Sequence, residues 1–330
     1  MSRSAESACR VHVSRRHSSG RRAILLVLFT AAACDQPFNP ELPFEQNLVV
    51  YSVLSNTTTA QAVRVYTTYS AESMVVGELG PDTRIKDALV LVEDISGLGV
   101  GPDTCRYDDL TGLYLWSSLS IERGHRYRMR VVPVGLDPVL AEVVVPGQAV
   151  VSPGSVLTLR EPSTYTSDFF VSARLAPEAK AYVVRLLVEY EFFEAGQWIP
   201  GRIEVPSRAG AGPGGSIEWL YPTLSRRLGD ETGGDTGYQI LSFDHDAYLW
   251  ALSQVQTRYL AQGLRFRRAV VHLTQVDVHL YKYYSIANGF QDPYTIRTDG
   301  PDYTNVEGGH GVFGAAVADS ISITLPDFVR

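Results

Sequence analysis

A chain of 330 residues, with 45% hydrophobic and 20% charged residues, has enough apolar material for one large or two ordinary globular domains. This composition excludes a disordered protein, which is too polar to build a core, and a protein that crosses a membrane many times. The net charge of -7 becomes -12 for residues 34–330 once the +5 of residues 1–33 is set aside. Because an acidic body repels phosphate backbones, we expect no nucleic-acid partner.

The chain begins with the pattern of a bacterial export signal. Six arginines precede an apolar run at residues 23–29, which is too short for a membrane-spanning helix of about 20 residues. Small residues follow and end at Cys34, in the sequence Ala-Ala-Ala-Cys. This arrangement resembles the lipobox of bacterial lipoproteins, in which the thiol receives a diacylglycerol and the leader is cut before it. We therefore predict a lipoprotein signal peptide at 1–33, lipidation of Cys34 and a proline-containing tether at 34–46.

An alternative interpretation makes Cys34 an incidental cysteine of an ordinary export signal. Cys105 is then its only possible disulfide partner after cleavage, and a tether is a poor place for a structural disulfide. Asp35 follows the cysteine directly, and aspartate at this position retains lipoproteins in the inner membrane of enteric bacteria. The sequence therefore predicts a membrane-anchored envelope protein, with the outer membrane preferred and the inner membrane left open.

Residues 47–148 alternate apolar and polar side chains over short segments separated by Gly, Pro, Asn and Asp clusters, which is typical of a β-sandwich. The predicted strands are 47–54, 62–69, 87–94, 112–118, 125–134 and 139–146. Gly112 and Gly124 lie at turns like those of transthyretin-like and fibronectin-like modules, a resemblance that supports fold more than function. Cys105 is interpreted as a loop residue.

A segment rich in Pro, Gly and Ser at 146–155 predicts a boundary, and strands resume in a second β-sandwich domain at 155–330. The predicted strands are 156–161, 168–175, 181–194, 197–206, 267–285, 311–319 and 320–326, with loops at 207–216 and 229–237. One amphipathic helix at about 245–262 is predicted from apolar residues at steps of three and four. Asp244 or Asp246 can cap its start, and Gly263 can end it. The expected fold is mainly β, with two immunoglobulin- or transthyretin-like sandwiches.

Histidines provide the first test for a metal centre. His272 and His279 lie seven residues apart on one predicted strand, so their side chains point to opposite faces. Asp277 and His279 share a face, but two ligands without a third do not form a zinc site. Nucleophile and phosphate-binding motifs are absent from the sequence. We therefore predict no catalytic residue, metal or cofactor. A hydrolase with a site between the domains remains an alternative.

Aromatic clusters are candidates for a contact surface. Trp198, Trp219, Tyr221 and Trp250 are the residues that we single out. Such side chains bind sugars or peptides and anchor protein interfaces, but they also form ordinary sandwich cores and cross-strand pairs. The sequence leaves both interpretations open.

The most specific pattern lies near the C-terminus. It consists of Asn305, Gly308, Gly309, Gly311, Phe313 and Gly314. This Asn-x-x-Gly-Gly-x-Gly-x-Phe-Gly segment resembles the end of a family of uncharacterised outer-membrane lipoproteins, best known from Bacteroidota and designated a domain of unknown function, number four-two-four-nine. The lipobox and the strands at 47–54 and 87–94 fall where the family has them. Glycine permits backbone conformations that other residues avoid, so we interpret the segment as a structural turn motif whose Phe313 plugs the core.

The resemblance implies a role without assigning any catalytic residue. Such lipoproteins are often encoded beside TonB-dependent outer-membrane receptors, which implies an accessory or ligand-capturing partner of such a receptor. We therefore expect a non-enzymatic protein held at the membrane by its lipid anchor, with a ligand that the sequence does not identify. The alternative is a structural or adhesive surface module unrelated to transport.

Overall fold

The computed structural model describes residues 44–70, 82–97, 101–116, 121–154, 168–227, 237–287 and 303–325. The predicted signal peptide, Cys34 and most of the predicted tether lie outside these ranges, as does the strand predicted at 156–161. Gln46–Arg330 belong to one compact unit. Strands dominate the described residues and two α-helices accompany them, which confirms the mainly β fold. No described helix is long and apolar enough to span a lipid bilayer.

The first half of the chain forms two facing layers of strands around a hydrophobic core. The strands are β1 (Leu48–Ser55), β2 (Gln61–Thr67), β3 (Leu89–Asp94), β4 (Asp103–Asp108), β5 (Leu113–Trp116), β6 (Arg126–Val132) and β7 (Val139–Val144). Alternation explains the burial, because Val50 of β1 and Val131 of β6 are fully buried in the same core while their neighbours along each strand are more exposed. β4 pairs with β5 on one side and β3 on the other, so it joins the two layers.

The second half builds a separate core from longer strands. The strands are β8 (Val150–Ser152), β9 (Phe169–Arg174), β10 (Ala181–Glu194), β11 (Gln197–Val205), β12 (Arg208–Ala211), β13 (Ile217–Leu220), β14 (Ser225–Arg226), β15 (Tyr238–Phe243), β16 (Leu264–Val276), β17 (Val306–Glu307) and β18 (His310–Thr324). The helices are α1 (His245–Tyr259) and α2 (Val278–Ala287). Leu186 of β10, Phe169 of β9 and Tyr248 of α1 are all buried in this core, so the large sheet packs against a small sheet and a helix.

The last strand belongs to both cores. Its first half pairs in parallel with β1, from Val49 opposite His310 to Ser55 opposite Ala316, and its second half pairs antiparallel with β16. Phe313 is buried in the first core and Ile323 in the second. The strands therefore form one continuous path, β11-β10-β16-β18-β1-β2-β5-β4-β3-β6-β7-β17, beside the three-stranded sheet β15-β9-β8 and the hairpin β12-β13. β18 lies in the second predicted domain range, 155–330, yet its first half completes the core formed by the first range, 47–148.

Several local predictions are confirmed by the geometry. The helix predicted at 245–262 corresponds to α1 followed by a short 3-10 turn at Leu260–Gln262. Gly263 follows it with a φ of 90°, the left-handed conformation expected of a residue that ends a helix. Gly112 and Gly124 also have positive φ, at 69° and 78°.

The strand prediction for residues 267–285 is wrong after Val276. Residues 278–287 form α2, because Asp277 stops the strand and caps a helix whose apolar face meets β18. The strands predicted at 311–319 and 320–326 are one strand, β18. No turn residue separates them, and the pairing with β16 runs on without interruption.

Two loop predictions are also wrong. Residues 207–216 contain β12, which pairs with β13 despite its glycine because the Asp244 carboxylate accepts a hydrogen bond from Ala209 N at 2.9 Å. Asp244 thereby holds a hairpin in addition to beginning α1. Cys105 lies on β4 and is only 4% exposed. Burial raises the pKa of its thiol to about 12, so it is an inert core residue.

Candidate functional site

Asp277 is the residue that fixes the helix of the site to the sheet. Its Oδ2 accepts a hydrogen bond from His279 N at 2.8 Å, and its Oδ1 accepts from Leu280 N at 3.1 Å and from Ala315 N at 3.0 Å. The first two bonds cap α2, and the third ties the cap to β18. Burial raises the pKa of this carboxyl, although the backbone donors work in the opposite direction. Asp277 is therefore committed to structure.

His279 pairs with a tyrosine from the other side of the site. Its Nδ1 lies 2.5 Å from the Tyr303 hydroxyl, and the two rings lie nearly parallel, with centroids 6.2 Å apart. Burial lowers the pKa of His279, which favours a neutral imidazole that accepts the tyrosine proton in a hydrogen bond. Burial and the nearby charge of Asp277 raise the pKa of Tyr303, so the hydroxyl stays protonated. Lys282 lies 5.6 Å from the centre of the Tyr303 ring.

Asn305 opens the terminal motif and joins three strands through its amide. Its Nδ2 donates to Phe313 O at 2.8 Å and to Glu142 O at 3.2 Å, while its Oδ1 accepts from Phe313 N at 2.9 Å. One side chain thus holds the start of β17 against β18 and against the outer edge of β7. An amide suits this place because it offers two N–H donors and an acceptor oxygen at once.

The glycines of the motif allow backbone and helix to approach β18. Gly308 and Gly309 form the turn between β17 and β18, and Gly311 has a φ of 113°. A Cβ on Gly311 would lie 1.9 Å from Val50 O, and a Cβ on Gly314 would lie 2.9 Å from the Leu280 Cβ. Side chains there would separate β18 from β1 and from α2. Phe313 itself is fully buried in the first core.

A groove of about 530 Å³ lies between these elements. It is lined by β6, β7, α2 and residues 303–307, and it has the size typical of a ligand pocket. Its floor contains an open strand edge, because β17 pairs with β7 only at Leu140 and Ala141 among the described residues. The N–H and C=O groups of Val145 both face β6, since Val145 N donates to His125 O and Val145 O accepts from Gly124 N. Because these groups alternate in direction along a strand, the N–H and C=O of Val144 face the groove.

The charged groups of the groove are largely paired with each other. The Glu142 carboxylate accepts two hydrogen bonds from Arg128, at 2.7 and 2.9 Å, and its other oxygen lies 3.6 Å from Arg126. His279 is occupied by Tyr303, and Asp277 by backbone amides. Glu142, His279 and Asp277 are thus held by partners within the protein, whereas an acid and a base for hydrolysis must converge on the substrate.

Most of the chain matches a known family. A family model described as a domain of unknown function (DUF4249) matches residues 35–322. The chain belongs to this family. No curated protein matches the sequence. Among solved structures, the chicken interferon gamma receptor alpha chain is similar over 70% of this chain and 89% of its own, with 10% identity and a TM-score of 0.14. A TM-score of 0.14 is too low to indicate a shared fold.

In this DUF4249 protein, the four aromatic residues singled out from the sequence do not form one cluster. Trp219 and Trp250 stack with ring centroids 5.1 Å apart, and Tyr221, two residues after Trp219 and just after β13, is exposed. Trp198 lies instead beside Gly263, beyond the C-terminal end of α1, where Arg265 stacks on its ring at 3.7 Å. Trp219 and Trp250 therefore join the hairpin β12-β13 to α1, and Trp198 belongs to the exposed tip of β10-β11. A contact function for these residues stays a prediction.

A second concavity of the DUF4249 chain, about 790 Å³, lies on the outer strands of the large sheet. Its charges also neutralise each other, with Arg268 2.5 Å from Glu189 and Arg267 3.5 Å from Glu191. Within the described ranges, no group of three His, Cys, Asp or Glu side chains converges to hold a metal ion. Asn305 and the glycines of the site were predicted from the sequence, whereas Tyr303 and the open edge of β7 were not. The Tyr303–Asn305 spacing was visible in the sequence, whereas the open edge depends on strand pairing.

Proposed function

We propose that this DUF4249 protein is a lipid-anchored envelope protein that acts by binding rather than by catalysis. In this proposal it captures an extended segment of a partner on the open edge of β7, and the partner is a TonB-dependent outer-membrane receptor. The observation that carries the binding proposal is the pair of Val144 peptide groups directed into the groove. The lipobox at Cys34 and the family's resemblance to outer-membrane lipoproteins support the location and the partner.

An open strand edge in a groove is suited to a peptide. A partner segment in extended conformation would add to the sheet as a further strand, with main-chain hydrogen bonds to Val144 supplying affinity. The Asn305 amide already takes the Glu142 carbonyl at one end, so the added strand is limited to a few residues. Arg126, more than half exposed, lies where it can contact acidic or carbonyl groups of the segment. Exposed edges elsewhere in a sheet invite aggregation, and a groove limits access to this one.

Non-enzymatic action is supported by the paired state of the groove. The family model names no enzyme, and each titratable side chain described above has a structural partner. A hydrolase would need a carboxylate or imidazole free to move a proton at the substrate. Glu142 held by two arginines and His279 held by Tyr303 do not offer such a group.

The partner proposal is tested by co-purification of the receptor with Val144 variants from solubilised membranes. Val144→Pro removes the N–H that faces the groove and breaks no hydrogen bond to β6, because the β6 side of the strand is bonded through Val143 and Val145. Val144→Thr keeps the N–H and serves as the matched control. We expect a receptor to co-purify with the wild type and with Val144→Thr, and to be lost with Val144→Pro. Equal recovery with all three proteins would exclude the β7 edge as the docking site.

The anchor is tested separately by fractionation of cells that express Cys34→Ala. The variant is expected to appear in the soluble periplasmic fraction after a carbonate wash, whereas the wild type stays with the membranes. If the variant remains quantitatively membrane-bound, lipidation of Cys34 is not what attaches the protein. Cys105 cannot substitute for the missing thiol, since it is buried on β4.

A further inference from the structure

We propose that one end of the first sandwich is a membrane-contact surface that rests against a zwitterionic phospholipid bilayer. This surface, called the tether pole, consists of Tyr69, Leu89, Leu110 and Val134. The inference rests on the proposed lipid anchor, because the anchor is what brings the surface to the membrane. It adds an orientation for the protein and a second contact with lipid.

The tether pole lies where the compact unit begins. Gln46 donates from Nε2 to the Thr67 hydroxyl at 3.0 Å, and Asn47 N donates to the Thr68 hydroxyl at 2.9 Å. These bonds fix the start of β1 against the end of β2, so the chain that arrives from Cys34 enters at this end. Tyr69 follows directly and is 46% exposed.

Strand pairing brings the other three residues to the same end. β5 is antiparallel to β2, with Tyr114 opposite Val63, so the turn before β5 is at the end where β2 stops. Leu110 occupies that turn. β3 begins at Leu89 opposite Val132 of β6, and β3 is antiparallel to β4, which stops at this same turn. Leu89 and Val134, just after β6, therefore also lie at the tether pole.

These side chains are exposed on anchored backbone. Leu110 is 97% exposed, Val134 is 74% exposed and Leu89 is 47% exposed. The Asp108 carboxylate accepts hydrogen bonds from Leu110 N at 3.4 Å and from Thr111 N at 3.1 Å, so the turn that carries Leu110 is built by its own side chains. A leucine on the tip of an ordered turn keeps its apolar surface in water unless something covers it.

The short tether allows the tether pole to contact the bilayer even if its own affinity for lipid is weak. Eleven residues separate Cys34 from Gln46, and the twelve steps of chain between these two residues reach at most about 40 Å. A linker this short holds the attached end at a local concentration on the order of millimolar. A few exposed apolar side chains need no strong affinity of their own under that condition. The far end of the protein does not share this high local concentration. β18 starts at the tether pole and its 15 residues span about 45 Å, so the far end lies about that distance from the membrane.

The charge at the tether pole selects the kind of membrane. Asp87, Asp109 and Asp137 are exposed in the turns and connections of the tether pole itself. Among the exposed basic residues, Arg84 and Lys86 lie beside Asp87, and Arg106 and Arg130 lie further back, on β4 and β6. Arg84 is already paired with Asp82 at 2.7 Å. An acidic rim is repelled by anionic lipids, so the contact is expected on zwitterionic bilayers and weakened on anionic ones.

The test uses the full lipidated chain with single cysteines introduced at Leu110→Cys or Val134→Cys, each labelled with an environment-sensitive fluorophore. Cys34 is blocked as a thioether in that protein, and Cys105 is buried with a pKa raised to about 12, so only the new cysteine reacts. Gln197→Cys, at the tip of β10-β11, is the matched control at the far end. The proteins are reconstituted on phosphatidylcholine vesicles with and without a lipid-borne quencher.

We expect a blue shift and at least a twofold quenching at positions 110 and 134, and neither at position 197. Vesicles with one third phosphatidylserine should reduce the quenching. Correctly lipidated protein whose probes at 110 and 134 behave like the probe at 197 overturns the tether pole while leaving the anchor intact. Labelling of the wild-type protein by the same reagent reveals a free Cys34 thiol, which is the separate failure of the proposed anchor.

Discussion

The Asn305 side chain brackets the backbone of Phe313, donating to its carbonyl at 2.8 Å and accepting from its N–H at 2.9 Å. Asn56 does the same to Ala318 on the same strand, at 3.0 and 2.8 Å. β18 is therefore held at two points by amide side chains from different parts of the chain. This matters because β18 completes both cores.

Asn305→Asp keeps the shape of the side chain but removes the N–H donors. The carbonyls of Phe313 and Glu142 then lose their partner, and a carboxylate faces them instead. We expect the free energy of unfolding to fall by about 2–4 kcal/mol, measured by urea denaturation. Gln197→Glu makes the same chemical change on the exposed β10-β11 tip and should alter stability by less than about 0.5 kcal/mol. Equal effects of the two variants would show that the hydrogen bonds of Asn305 to the backbone do not stabilise the fold.

Gly311→Ala tests the close approach of β18 to β1. The added Cβ would overlap Val50 O, and the φ of 113° is unfavourable for alanine, so we expect destabilisation by more than about 3 kcal/mol. Gly124→Ala is the matched control, since its φ of 78° is also positive but the Cβ meets open space. That variant should cost only about 1 kcal/mol. Thermal unfolding of both proteins separates the overlap with Val50 from the general cost of positive φ.

Ala195 is a site where the natural residue is unfavourable. The β10-β11 turn consists of Ala195 and Gly196, with φ of 48° and 83°. A two-residue hairpin turn with two positive φ angles is of type I′, in which Asn-Gly is the preferred sequence. Ala195→Asn should raise the free energy of unfolding by about 0.5–1 kcal/mol. Ala211→Asn on exposed β12, where φ is not positive, should give no gain in chemical denaturation. A gain of the same size at both positions would show that the turn is not the cause.

The stability of the protein should depend on pH through His279. Because burial lowers the pKa of His279 in the folded state, the unfolded chain binds a proton first as the pH falls below about 6.5. The stabilising contribution is thus present above that pH and is lost as the pH falls through the folded pKa. The raised pKa of Asp277 acts in the opposite sense at more acidic pH. His279→Gln should flatten the loss of stability between pH 7 and 5, while exposed His310→Gln should not; identical pH profiles for the two variants would count against this role.

Much of the fold followed from local pattern. Period-two alternation located β1, β2, β6, β7 and β10 within a few residues, because each of these strands has one largely buried face. β11 was located as well, although Val205 is its one buried residue. The same rule failed at Asp277, where tyrosines and apolar residues fit either a strand or a helix. What decided that segment was a buried cap bonded to Ala315, 38 residues further along the chain. The hairpin β12-β13 was missed for a similar reason, since its glycine-rich strand is held by Asp244 rather than by its own propensity.

The sequence by itself determined the mainly β character, the first helix, the motif of Asn305 and its glycines, and the prediction of an export signal ending at Cys34. These features are encoded by neighbouring residues, whose spacing alone carries the information. Only the tertiary structure decided that β18 is shared by two cores, that His279 meets Tyr303, and that the edge of β7 is open toward a groove. Each of these depends on which distant strands pair and in what register, and backbone hydrogen bonds between strands carry no signature in the local order of side chains.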